Sequence, residues 1–157
     1  MRYWLMKTEP DECSIDDFAA DPAKPIRWDG VRNFQARNFM REMQVGDQVF
    51  IYHSSCKEIG VAGVVEVQQA AYPDPAQFSE QSAYFDSKSS SENPRWSAVD
   101  LTFLAKFRKV IPLATLKALP ELKANPLVQK GSRLSVVPLT EPEWQAVNNI
   151  NNLAKSG

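Results

Sequence analysis

Between Arg27 and Met43 the chain reads RWDGVRNFQARNFMREM. A tryptophan precedes an Asp-Gly pair, and Arg32, Asn33, Arg37 and Arg41 follow at helical spacing. These residue types share a chemistry. An indole offers a flat face to a heterocycle, and stacking on an aromatic ring is worth roughly 1–3 kcal/mol per base. Asn carries a donor and an acceptor together, which suits a base edge, and Arg suits a phosphate or a base carbonyl. A helix N-terminus adds free N–H groups for an oxygen. Asp29-Gly30 permits a tight turn, and Asp29 is a candidate helix cap. Each residue has a plainer role beside this one. Trp28 equally suits a core, Asn33 can satisfy loop backbone and Arg32 can lie on the surface. Arg37 and Arg41, farther along, read as solvated or ion-paired.

Other candidates are scattered. Lys7, Thr8 and Glu9 end a first apolar run, where the alternative is a capped turn before Pro10. Tyr52, His53 and Ser54 end another: Tyr52 can wall a pocket, Ser54 can bond a base edge, and a lone histidine is more often structural than catalytic. Tyr84 and Trp96 flank a long polar stretch, Tyr72 to Arg95, and Trp96 suits core packing. Ser132 and Arg133 precede a last apolar run. Arg133 can meet a phosphate or close the fold through an ion pair.

The composition bounds what these residues can be part of. A chain of 157 residues is one domain with room for a proper core. Its formal net charge of -1 speaks against coating long nucleic acid by charge alone, though not against holding one nucleotide. Cys13 and Cys56 form no CxxC pair and there is a single histidine, so neither a metal nor a cofactor is expected. The thiols fit a reducing, cytoplasmic compartment. The opening MRYWLMKTEP reaches Lys7 and Glu9 too early for a signal peptide, and no apolar run is long enough for a membrane span. A monomer is expected.

The elements that must position the candidates can be read from periodicity. Tyr3 to Lys7 predicts a short strand, and Ser14 with Asp17 a capped helix. Ala36, Phe39, Met40 and Met43 recur at i, i+3, i+4 and i+7, which predicts a second helix with Asn33, Arg37 and Arg41 on its polar side. DQVFIYHS is apolar on both faces and predicts a central strand. In GVAGVVEV the glycines Gly60 and Gly63 predict a bend or a close backbone approach. Val99, Leu101, Phe103, Ala105 and Phe107 alternate strictly, Leu113 to Leu119 predicts a short helix, and LSVVPL a last strand. Thr140 and Glu143 form a capping box ahead of Trp144, Val147 and Ile150. Short strands without regular βαβ alternation predict an α+β fold on a small, mostly antiparallel, partly closed sheet.

In order along the chain, YWLMKTEP, WDGVRNFQARNFM, YHS, GVAGVVEV, AYPDP, ENPRW and GSRLSV resemble the EVE domain family, which takes in the thymocyte nuclear protein group. The resemblance spans Met1 to the Trp144 helix. It implies a single domain over residues 1–150, with 151–157 as a flexible tail. It also implies a PUA-like fold, a small, mostly antiparallel β-barrel flanked by short helices. Such domains are related to YTH domains, which hold a methylated adenine in an aromatic cage. The implied function is a binding module for a modified nucleobase, a modified cytosine of DNA flipped into a pocket, with an RNA nucleotide as the alternative partner. On that footing Trp28 and Tyr84 would sandwich the ring. Asn33, Thr8 and Ser54 would read its edge, Tyr52 would wall it, and Arg32, Arg133, Lys7 and Ser132 would meet phosphate or polar groups. Weak salt dependence is expected, since few phosphates are engaged. Some PUA-like relatives instead hydrolyse modified nucleosides, and Lys7, Thr8, Glu9 and Glu66 supply the residue types for an amidohydrolase.

Overall fold

The computed structural model describes residues 1–156, with side chains as far as Asn152. Its elements are β1 (Tyr3–Thr8), α1 (Ile15–Ala20), β2 (Ile26–Trp28), α2 (Phe34–Glu42), β3 (Gln48–His53), β4 (Gly60–Pro73), β5 (Ser97–Pro112), α3 (Leu113–Lys117), β6 (Val136–Leu139) and α4 (Glu141–Ser156). Six strands form one sheet in the order β2-β5-β4-β3-β1-β6. The β1–β3 ladder is parallel and the others are antiparallel, so the expected α+β, mostly antiparallel sheet is found. No ladder joins β2 to β6 among the described residues, so the sheet curls without closing. Register shifts along β3–β4 and β4–β5 mark bulges, which bend long strands.

The local chemistry explains the elements. Val49, Phe50, Ile51 and Tyr52 are all buried, as a strand with neighbours on both edges and cover on both faces requires. At Gly63 a Cβ would lie 2.5 Å from the Ala105 carbonyl oxygen and 2.6 Å from Ile15 Cγ1, so only glycine allows β5 and α1 this close. Ser14 and Asp17 form the expected capping box. At α4, Glu143 accepts the Thr140 N–H at 2.8 Å, and the Glu143 N–H is donated to Thr140 Oγ1 at 3.3 Å. Caps of this kind are worth about 1 kcal/mol each.

Helix α4 seats Trp144 on the sheet, its ring 3.7 Å from that of Phe50 and 4.7 Å from that of Tyr3. The helix runs past residue 150, where a flexible tail is predicted, because the buried face continues through Asn151. Residue 157 of that expected tail lies outside the described residues. At the other end of β1, buried Asp47 accepts the Trp4 indole N–H and the Arg2 and Gln44 amides, each at 3.0 Å. Because β1 and β3 run parallel, with Thr8 beside His53, both strands finish at the end of the sheet away from Asp47. The candidate residues gather there.

Candidate functional site

A cleft of about 1240 Å³ opens at that end. Its walls come from the turn after β1, the end of β2, the segment leading to α2, and the residues before β6. This exceeds the roughly 300–1,000 Å³ of a common small-molecule site and has room for a nucleotide. Of the sequence candidates it brings together Lys7, Thr8, Glu9, Trp28, Arg32, Ser54, Tyr84, Ser132 and Arg133.

Trp28 does not sit on a turn. It ends β2, paired with Val99 of β5, and is only 8% exposed, less than a freely presented ring would be. What remains open lines the cleft, and no other aromatic ring or cation is stacked on it among the described residues. Tyr84 comes from the long loop after β4 and lies against Gly30. That glycine has φ +78°, and a Cβ on it would be 2.8 Å from Tyr84 Cε2. The Tyr84 hydroxyl donates to Glu12 Oε1 at 2.8 Å, bridging the loop to the segment after β1. This hydrogen bond, with burial behind it, raises the phenol pKa and keeps it protonated.

Arg32 is not available to a phosphate. Its Nε and Nη2 donate to the Tyr84 carbonyl at 3.0 and 2.7 Å, and its Nη1 donates to Asp74 Oδ2 and the Val31 carbonyl at 2.9 Å. Asp74 is fully buried and also accepts the Gly30 amide. The expected phosphate contact is therefore a clip that holds the Tyr84 loop to the segment after β2. Arg37 and Arg41, the second exposed as expected, form no ion pair among the described residues and tie α2 to the same loop. They donate to the Arg95 and Pro94 carbonyls and to Ser97 Oγ. Trp96 is buried as expected, stacked 4.7 Å from Phe34. Gln77, fully buried, accepts the Arg95 and Trp96 amides and donates to the Asp74 and Trp96 carbonyls. The long polar stretch is thus pinned to the domain.

Asn33 also departs from expectation. Its Oδ1 accepts the Ala36 N–H at 2.9 Å, which makes it the cap of α2 in place of Asp29, and it does not line the cleft. Tyr52, His53 and Ser54 separate: strand alternation turns His53 to the face opposite Tyr52, and Ser54 lies beyond the end of β3. Ser54 lines the Trp28 cleft, buried Tyr52 faces a different one with Lys7 5.7 Å from its ring, and His53 faces a third. His53 Nε2 accepts the Ile15 amide, and burial lowers its pKa, so it is a neutral structural residue. Glu66 pairs across from Gln48, which stands beside Tyr3, at the far end of the sheet from Thr8. Thr8 Oγ1 donates to the Glu9 carbonyl and makes no hydrogen bond to Lys7 among the described residues.

Sequence reasoning missed the acids of the cleft. Glu12, Asp17 and Asp29 line it; burial first, and then these acids, push the Cys13 thiol up to about 11. Asp29 is held 3.5 Å from Arg27. The only sequence signal was their closeness to KTEP and to Trp28. Lys7 has its pKa lowered by burial alone.

The EVE domain family model matches residues 2–150. The chain belongs to the EVE domain family. This EVE domain is 42% identical to thymocyte nuclear protein 1 of Homo sapiens, across 94% of the chain and 73% of the relative. An X-ray structure of a Pseudomonas syringae protein is 50% identical, with a TM-score of 0.91 over 95% of this chain and 99% of that one. The human thymocyte nuclear protein 1 structure in complex with 5-methylcytosine containing DNA is 41% identical, with a TM-score of 0.87 over 96% and 98% of the two chains. The PUA-like assignment of the EVE domain fits this architecture. No helix of the described residues is long and apolar enough to cross a membrane.

Proposed function

We propose that this EVE domain is a binding module for a modified nucleobase, a 5-methylcytosine of DNA turned out of its duplex into the Trp28 cleft. The observation that carries this is the human relative, a structure of the same fold in complex with 5-methylcytosine containing DNA. The cleft supplies fitting chemistry. Trp28 offers the stacking face, and Tyr84, fixed by Gly30, Arg32 and Glu12, lines the same cleft. Asp29 is placed to accept from an exocyclic amino group, the usual pairing of a carboxylate with cytosine. Ile26 and Val31 in the same walls suit a methyl group. Thr8 and Ser54, whose hydroxyls already donate to the Glu9 and Thr8 carbonyls, present oxygen lone pairs, and exposed Arg133 with Ser132 stands at the rim. Turning a base out costs a few kcal/mol, comparable to what stacking in such a cleft returns.

A catalytic role is not part of this proposal. Glu66 is remote from Thr8, and the Thr8 hydroxyl donates to the Glu9 carbonyl and to no side-chain base among the described residues. A cytoplasmic location goes with it, supported by the two free, half-buried cysteines.

The test is titration of duplexes that differ only in one 5-methylcytosine, with RNA of the same sequence as a third arm. The wild type is expected to prefer the modified duplex. Trp28→Ala is expected to lose about 1–3 kcal/mol of that binding, the worth of one stacked base, with Trp28→Phe intermediate. Thermal melting of each variant separates loss of binding from loss of fold. Equal affinity of the wild type for both duplexes overturns the proposal.

A further inference from the structure

Lys7, Lys117, Lys123 and Lys130 line a second cleft, of about 730 Å³, and none of its other lining residues is acidic among those described. This is unusual for a chain with 19 acidic residues against 18 basic ones. The lysines come from separate segments: the end of β1, the end of α3, and the two loops that lead to β6. Lys117, Lys123 and Lys130 are exposed, and no ion pair joins any of the four to an acid among the described residues. Glu9, two residues from Lys7, and Glu121, two residues from Lys123, do not line the cleft. Gathering like charges is unfavourable unless an anion is shared among them. Lys7 and Ser132 line this cleft and the Trp28 cleft alike, so the two are neighbours.

We propose that the lysine cleft carries the phosphodiester backbone of the DNA strand whose base enters the Trp28 cleft; this rests on the base-binding proposal above. A base turned out of a duplex brings its own and neighbouring phosphates to the pocket mouth. Arg32 cannot meet them, because its guanidinium is committed to Tyr84 and Asp74. Besides Arg133 at the rim, the cations here without an ion pair among the described residues are Lys7, Lys117, Lys123 and Lys130. Lysine suits this role: it offers a mobile point charge that follows a backbone without reading sequence. The salt dependence of binding is then substantial, contrary to what the arginine assignments of the sequence imply.

The experiment compares the wild type with the Lys117→Gln/Lys123→Gln/Lys130→Gln variant on two probes: a duplex with one 5-methylcytosine, titrated over a salt series, and free 5-methyl-2′-deoxycytidine. All three positions are exposed, and unchanged melting curves confirm the fold. The variant is expected to lose at least about tenfold in duplex affinity at low salt. Its slope of log K against log salt should flatten by about 0.9 for each phosphate that the protein no longer neutralises. Nucleoside binding should stay at the wild-type level, and Lys→Arg at the same positions should restore the slope. An unchanged slope in a variant that still binds the nucleoside overturns this proposal and leaves the base pocket standing. A wild type that ignores both the nucleoside and the methyl group overturns the base reading instead, whatever the slope does.

Discussion

The two clefts that meet at Lys7 and Ser132 are built in opposite ways. In the Trp28 cleft several charged groups are already held by neighbours. Arg32 is bound to Asp74 and the Tyr84 carbonyl, Arg27 is near Asp29, and Glu12 accepts from Tyr84. In the lysine cleft no cation has an acidic partner among the described residues. Committed groups fix a shape, because their positions are over-determined before any ligand arrives. Uncommitted charges fix no shape but attract a polyanion from a distance and fade with salt. One molecule thus separates recognition from attraction, and the two should be separable by mutation.

The strongest break in the comparison is expected at Asp74. It is fully buried, it pairs with Arg32, and it accepts the Gly30 and Ala76 amides at 2.9 and 2.8 Å. Asp74→Ala strands a guanidinium and leaves two amides without their acceptor. Loss of one partner of a buried pair costs about 3–5 kcal/mol, so chemical denaturation should show a stability loss of that size. In the fraction that remains folded, nucleoside binding should fall while the salt slope for a duplex keeps its wild-type value. A variant as stable as the wild type would show that Asp74 does not hold the Trp28 cleft together.

Gly30 breaks the same cleft more gently. At φ +78° any side chain is strained by roughly 1–2 kcal/mol, and a Cβ would sit 2.8 Å from the Tyr84 ring. Gly30→Ala should therefore lower stability by about that amount and displace Tyr84, weakening nucleoside binding by several-fold. Crystallography or Tyr84 ring-proton shifts would report the displacement. Unaltered nucleoside affinity would mean that Tyr84 is a loop anchor and no part of the recognition surface.

How legible all this was in the sequence depended on the range of each interaction. The alternation of β5, the Ser14–Asp17 and Thr140–Glu143 boxes and the close approach at Gly63 rest on neighbours or on period, and they stand where predicted. Asn33 was legible too: an Asn before an amphipathic run is a strong cap signal, and assigning the cap to Asp29 overlooked it. β2, with three residues, is too short for a period, so Trp28 passed as a turn residue. The arginines were out of reach. Arg32 finds its partners 42 and 52 positions away, in the long polar stretch from Tyr72 to Arg95. The lysine cleft gathers residues from four segments, and no window of sequence contains them together.

The smallest expected effect of a substitution is that of Asp29→Asn on Cys13, which sharpens the contrast in charge between the clefts. Cys13 lines the Trp28 cleft, half-buried, and its thiol is pushed up to about 11 by burial first and then by Asp17, Asp29 and Glu12. Only the thiolate reacts with iodoacetamide. At pH 8 a thiol of that pKa is roughly one-thousandth ionised, so Cys13 should alkylate about a hundredfold more slowly than an unperturbed cysteine of pKa 9.0. The rate should climb about tenfold per pH unit until it levels near pH 11, because raising the pH removes the proton that burial and the acids retain. Asp29→Asn removes one of the lesser causes and should raise the pH 8 rate only modestly. Saturating 5-methyl-2′-deoxycytidine should slow it further by covering the cleft, whereas short oligonucleotides without the modified base should not. Mass spectrometry of the Cys13 peptide over time reads all three. Fast alkylation at pH 8, insensitive to Asp29→Asn, would mean that this cleft is neither closed nor acidic, and the contrast with the lysine cleft would lose its basis.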